Sequence, residues 1–205
     1  MKWGVSVHWR LKAYLAFFYI CFFTSSVLSH EINIDGKLDD SAWKSANEYT
    51  KYYESLPFTL NEPKDFQKVL ILEDEKGIYL GFINKQDKET IRANRHERDD
   101  EMANADKAGL AIDFDGDGLA AYAFTVSAGG SIADGIYRNE NEVNYDWDAD
   151  WKSGVFVDKD YWYAEMFIPW SVAPMKAQTG DKRKVKLSFY RWLRGEFKVY
   201  TTIKG

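Results

Sequence analysis

The sequence predicts an all-β protein, a sandwich or barrel of short antiparallel strands. Three observations carry that prediction. Runs of alternating apolar residues recur from Phe66 to Ile203, separated by Gly, Asp and Pro turn signals. No segment sustains an apolar repeat of helical period. Residues 106–135, DKAGLAIDFDGDGLAAYAFTVSAGGSIADG, spell out a three-stranded meander. In this stretch Leu110, Ile112 and Phe114 alternate with smaller or polar residues, and Tyr122, Phe124 and Val126 repeat the pattern. Period two marks a strand with one buried face. The two Asp-Gly pairs between the runs are a hairpin signal, and Ala128-Gly129-Gly130-Ser131 turns the chain again. This meander is expected at the centre of a sheet.

The first 29 residues stand apart from the domain. Lys2, Arg10 and Lys12 make a basic start, Ala13–Phe23 is an apolar run short for a membrane span, and Val27 and Ser29 are small residues before a cut. Residues 1–29 are therefore expected to be a secretory signal peptide, with residues 30–205 as the exported domain. Its location would then be the periplasm, the outer membrane or the extracellular space. An uncleaved membrane anchor is the competing reading. Cys21, the single cysteine, lies in this segment. The remainder has no disulfide, no thiolate metal site and no cysteine nucleophile, and must be held together by its core. About 175 residues suffice for one such core. The net charge of −5 falls to about −8 without the three leading basic residues. No basic stripe exists to neutralise phosphates, which argues against a nucleic-acid partner.

Taken in order, residues 31–34 read as a short strand ending at Asp35-Gly36. Asp39 or Asp40 is placed to cap a short helix from which Leu38 and Trp43 face inward. Tyr49, Tyr52, Tyr53 and Phe58 form an aromatic strand-then-loop segment near Pro57 and Pro63. Phe66–Leu72 and Ile78–Ile83 are a strand pair around Asp74-Glu75-Lys76-Gly77, and the apolar run 69–72 predicts burial on both faces. Residues 85–105 read as a charged loop, long enough to be functional or mobile. Strands at 151–158 and 161–168 follow, the latter ended by Pro169. The last pair spans 184–193 and 196–203. By alternation Trp162 belongs to the core and Glu165 to the opposite face, where Arg191 is a candidate partner. With no cap or tail after the last strand, the chain is expected to be a piece of a longer protein.

These pieces, in this order, resemble family 9 carbohydrate-binding modules, within the wider DOMON-like group of β-sandwiches. The matching residues are Ile34-Asp35-Gly36, Leu38-Asp39 and Trp43, then Ile78-Tyr79-Leu80, Asp106, Ile112-Asp113-Phe114-Asp115 and Phe124-Thr125-Val126. Trp151, Trp162 and Ala164-Glu165-Met166-Phe167-Ile168-Pro169 close the series. Arg98-Asp99-Asp100, Trp147–Trp151 and Arg191 are similar to the exported variant found ahead of C-terminal outer-membrane β-barrels. The resemblance implies a two-sheet, jelly-roll-like sandwich that binds glycan or descends from a glycan binder in carbohydrate catabolism. The partners it implies are a glycan and a C-terminal β-barrel or enzyme domain absent from this chain. Some members of the fold group carry haem through Met with His or Lys; here the candidate ligands are His96, Met102, Met166 and Met175.

Two motifs carry candidate chemistry. Asp113, Asp115 and Asp117 present alternate carboxylates, and oxygen ligands at that spacing suit a structural calcium. Phe124 stands where an EF-hand needs its Glu, so the motif is not an EF-hand. An acidic turn used for its backbone geometry is the competing reading. Tyr145, Trp147 and Trp151 sit in a polar, acidic stretch, where flat rings can stack on a pyranose while neighbouring Asp and Asn side chains accept hydroxyl hydrogens. Core packing is the competing role for Trp151, and loop packing for Trp147. No Gly-x-Ser-x-Gly elbow, His-Glu-x-x-His or P-loop is present, and His96 is the one histidine well inside the domain. Catalysis is not expected; an associated enzyme would be a glycoside hydrolase.

Overall fold

The computed structural model describes residues 32–100, 103–139, 142–177 and 183–202. Its strands are β1 (Asn47–Tyr49), β2 (Tyr53–Leu56), β3 (Gln67–Glu73), β4 (Gly77–Lys85), β5 (Lys107–Asp113), β6 (Tyr122–Ser127), β7 (Ile132–Asn139), β8 (Glu142–Asn144), β9 (Lys152–Asp158), β10 (Tyr161–Pro169), β11 (Lys186–Leu193) and β12 (Lys198–Thr201). They form two antiparallel sheets packed as a sandwich. One has five strands in the order β1-β3-β4-β10-β9, the other seven in the order β2-β12-β11-β5-β6-β7-β8. The expected 106–135 meander is β5-β6-β7, and β5 and β6 sit inside the larger sheet.

Alternation builds the core. Leu80 and Phe82 from β4 and Trp162, Ala164, Met166 and Ile168 from β10 face inward from the smaller sheet. Leu110, Ile112, Phe124, Val126, Phe189 and Leu193 face them from the larger. Phe82 and Phe189 meet edge-on across the sandwich, ring centroids 6.2 Å apart. Each fully buried Leu, Ile, Val, Phe or Met among them stabilises the fold by about 1.5–3 kcal/mol. Of the run expected to be buried on both faces, Val69 and Leu70 are buried, and Ile71 and Leu72 only partly.

Four expectations are corrected. Residues 32–34 form no strand, because side chains take the local backbone donors: Asn33 N donates to Asp40 Oδ2 at 2.9 Å, and Asp35 N and Gly36 N to Glu165. Asp40 consequently stands at the start of the 3₁₀ turn Ser41–Ser45 without capping it by its side chain. Trp43 is buried, but outside the inter-sheet core. With Leu38 it covers Gly81 on the outer face of β4, where a glycine leaves room for both side chains. Glu165 and Arg191 do not pair, since they belong to different sheets. Glu165 accepts from Asp35 N, Gly36 N and Trp43 Nε1, while Arg191 donates to Lys85 O and Gln86 Oε1.

The charged segment 85–105 is pinned at several points. Asp106, fully buried, accepts from Gln86 Nε2, Arg92 N and Arg194 N, and its own N–H donates to Arg92 O. His96 N donates to Ser131 Oγ. The signal-peptide expectation for residues 1–29 lies outside the described residues.

Candidate functional site

The outer face of the seven-stranded sheet is a shallow groove of about 380 Å³. Its floor is small: Ala111, Ala123, Thr125 and Ala133 point outward at period two from β5, β6 and β7. Tyr137, Tyr145, Tyr190 and Trp192 wall it, with Lys107 near one end. Small floor residues let large side chains lie across the sheet. A Cβ at Gly109 would stand 2.7 Å from the Tyr190 hydroxyl and 2.4 Å from Phe124 O, so β5 carries glycine where the Tyr190 ring crosses it. The Tyr190 hydroxyl hydrogen-bonds Thr125 Oγ1, and desolvation pushes its pKa well above the usual tyrosine range, keeping the phenol neutral. Trp192 lies under the Arg194 guanidinium, 5.0 Å from ring centroid to Cζ, with Lys107 Nζ at 5.9 Å. Its indole Nε1 is screened from solvent and has no hydrogen-bond partner.

The three aromatic residues singled out from the sequence are not brought together. Tyr145 lines the groove. Trp147 and Trp151 pack on the other side of the sheet, against the inward ring of Phe124 at 6.0 and 5.4 Å, and Trp147 also against Tyr122 at 5.0 Å. The cause is Asp134, which is fully buried on the inner side of β7 and collects the segment. It accepts from Ala149 N at 2.6 Å and Trp151 Nε1 at 3.3 Å, and pairs with Arg98. Arg98 also reaches Asp148 Oδ1 at 2.9 Å, and Asp99 Oδ1 accepts from Asp134 N. The Arg98-Asp99 and Trp147–Trp151 motifs are thus one latch, folded round a single carboxylate.

The carboxylates of the acidic turn also diverge. Asp113 accepts from Asp115 N, Gly116 N and Gly118 N, an arrangement for which Gly116 and Gly118 adopt φ of 66° and 81°. Asp115 pairs with Arg183 Nη1 at 2.7 Å and accepts from Lys176 N. Asp117 pairs with the Lys176 ammonium, and that bond holds its carboxyl below the usual range. Among the described residues no three carboxylates or imidazoles converge to hold a metal. Lys176 and Arg183 offset the like charges of Asp117 and Asp115.

Met166 is buried within the core, Met175 packs against that core, and His96 sits on the loop 91–100 with Nδ1 beside Glu97 O at 2.8 Å. Met102 lies outside the described residues. Sequence reasoning missed Tyr137, Tyr190 and Trp192. Their signal was the outward period-two series of small residues at 109, 111, 123, 125, 133 and 135, which marks a face that something large must cover.

No protein-family model matches the sequence, and no curated protein matches it. Solved structures share the fold. A family 9 carbohydrate-binding module from Caldicellulosiruptor kristjanssonii in complex with glucose superposes with a TM-score of 0.58 at 11% identity, over 85% of this chain and 82% of that one. The family 9 module from the same organism in complex with cellotriose gives 0.55 at 13% identity, over 83% and 78%. A Bacteroides uniformis protein provisionally assigned as carbohydrate-binding gives 0.54 at 13%, over 76% and 80%.

Proposed function

We propose that this domain is a non-catalytic carbohydrate-binding module whose ligand lies in the groove on the seven-stranded sheet. One observation carries the reading: a floor of alanines and Thr125 walled by Tyr137, Tyr145, Tyr190 and Trp192. Aromatic rings beside a floor without bulk can take the apolar face of a pyranose, while hydroxyls along the wall meet its oxygens. Likeness of fold to modules solved with glucose and cellotriose supports the ligand class. In this reading Tyr145 is the contact residue of the sequence-derived trio, and Trp147 and Trp151 brace the sheet from behind.

A glycan array followed by calorimetry with glucose and cellotriose tests it. Tyr145→Ala and Trp192→Ala are each expected to weaken binding at least tenfold without loss of fold. Tyr163→Ala, on the outer face of the other sheet, is expected to leave affinity unchanged. Absence of binding to any glycan overturns the proposal.

Two further readings belong with this one. Calcium at the acidic turn would have to displace Lys176 and Arg183 from Asp117 and Asp115. Wild-type protein is therefore expected to melt at the same temperature in millimolar calcium and in chelator, whereas a Lys176→Met, Arg183→Met variant gains stability with calcium as free ion rises past its Kd. A wild-type shift would show that the ion competes successfully, and a flat variant would remove calcium from the account. Export rests on the basic–apolar–small pattern of residues 1–29. Protein recovered from a secreting host is expected to have the intact mass of a chain starting at His30, and retention of Met1 would refute cleavage.

A further inference from the structure

We propose that the end of the sandwich interior bounded by Gln67, Asn84, Trp162 and Arg191 is a binding site for a small oxyanion. Gln67, Asn84 and Trp162 stand directly opposite one another on β3, β4 and β10, and each points inward. Side chains in such register have Cβ atoms about 5 Å apart. Arg191 reaches the same place from β11 of the facing sheet, its Nη1 3.5 Å from Gln67 Oε1. All four residues are at least nine-tenths buried.

Each presents an unpartnered polar atom, and every one of these atoms is a donor: Gln67 Nε2, Asn84 Nδ2, Trp162 Nε1 and Arg191 Nε. Buried donors almost always find an acceptor, and one left without it costs about 1–3 kcal/mol. Four at one end of a core, around a guanidinium, describe a receptor for a species that only accepts. A neutral sugar hydroxyl brings its own hydrogen and matches the set poorly. A metal cation is repelled by Arg191. A carboxylate, phosphate or sulfate fits both charge and bonding.

The local charge balance agrees. Arg191 makes no direct ion pair among the described residues. Its Nη2 donates to Gln86 Oε1 at 2.9 Å, and Gln86 Nε2 passes the contact to Asp106 Oδ2 at 2.7 Å. Asp106 also accepts from Arg92 N and Arg194 N, and Gln86 stands between its carboxylate and the guanidinium. Burial pushes its pKa down to about 10, still charged at neutral pH. Tyr52, Tyr200 and Asp65 are the other titratable groups felt by Arg191; Tyr52 is held neutral by burial. Gln67 also lines a cleft of about 610 Å³ with Lys51, Tyr52, Glu62, Lys64 and Asp65. The inference does not depend on glycan binding.

The test is thermal melting at fixed ionic strength, exchanging chloride for phosphate, sulfate or acetate, with two-dimensional NMR of the indole N–H groups. Sulfate and phosphate raise melting temperatures generally by exclusion from protein surfaces, so the comparison with variants is the readout. Wild type is expected to show a saturable shift and movement of the Trp162 indole signal, assigned by Trp162→Phe. Asn84→Leu, similar in volume and without the donor, is expected to weaken the anion at least tenfold. Gln67→Leu, beside the cleft, serves if the first variant does not fold. An unmoved Trp162 signal, an equal shift in the variants, or a crystal grown in phosphate with only water against the four donors would overturn the proposal.

Discussion

Replacing Trp162 by alanine is expected to cost about 3–5 kcal/mol of folding free energy. Trp162 is fully buried near one end of β10, opposite Asn84 on β4 and Val157 on β9. Its indole is the largest fully buried side chain among the described residues, so its removal leaves the largest void. In a domain of this size each kcal/mol moves the melting temperature by about 2–4 °C, so a fall of about 6–20 °C is expected. Calorimetry measures it directly. A melting temperature within a degree or two of wild type would mean that Trp162 is not packed as described.

The second large effect is expected at Glu165. This carboxylate is wholly buried on the outer face of β10, beneath the segment 35–43. Oε2 accepts from Asp35 N at 2.9 Å and Gly36 N at 2.8 Å, and Oε1 from Trp43 Nε1 at 2.9 Å. Burial pushes its pKa up, and the three N–H donors pull it back. Glu165→Ala leaves all three donors without an acceptor, at about 1–3 kcal/mol each, for a total of roughly 3–5 kcal/mol after relaxation and rehydration. The loss should be local first: Trp43 emission shifts to the red, and proteases cut within residues 32–46 before the sandwich melts. Glu165→Gln restores one acceptor oxygen and should recover part of the stability. Unchanged proteolysis and an unchanged melt in Glu165→Ala would show that the segment is held by Leu38 and Trp43 packing alone.

Much of this architecture was legible in the sequence, and the residues show why. Strand existence depends on period two, a local property, so Leu110-Ile112, Tyr122-Phe124-Val126 and Trp162-Ala164-Met166-Ile168 were readable without any partner. Turn chemistry is equally local: the Asp-Gly pairs mark a turn because Gly116 and Gly118 tolerate positive φ. Inward and outward positions follow from the same alternation, which placed Glu165 opposite Trp162 correctly.

Long-range partnership was not legible, because period two says which face a residue occupies and not what lies on that face. Glu165 was assigned to the outer face, but its partners come from 122 to 130 positions away along the chain. Trp147 and Trp151 have the composition of a sugar platform. It is Asp134, drawing Ala149 N and Trp151 Nε1 inward, that turns them to the core side. The three aspartates of the turn have calcium-like spacing, but Lys176 and Arg183 arrive from a distant segment and divide them. The groove itself exists only because β11, from a distant stretch of the chain, lays Tyr190 and Trp192 beside the small residues of β5, β6 and β7. The sequence by itself therefore determined the strands, the turns and the all-β class, through short-range sterics and hydrophobic period. Only the tertiary structure decided which polar groups meet and which aromatic rings share a surface. Buried donors, acceptors and charges must be satisfied in three dimensions, and their partners are chosen by sheet order and register.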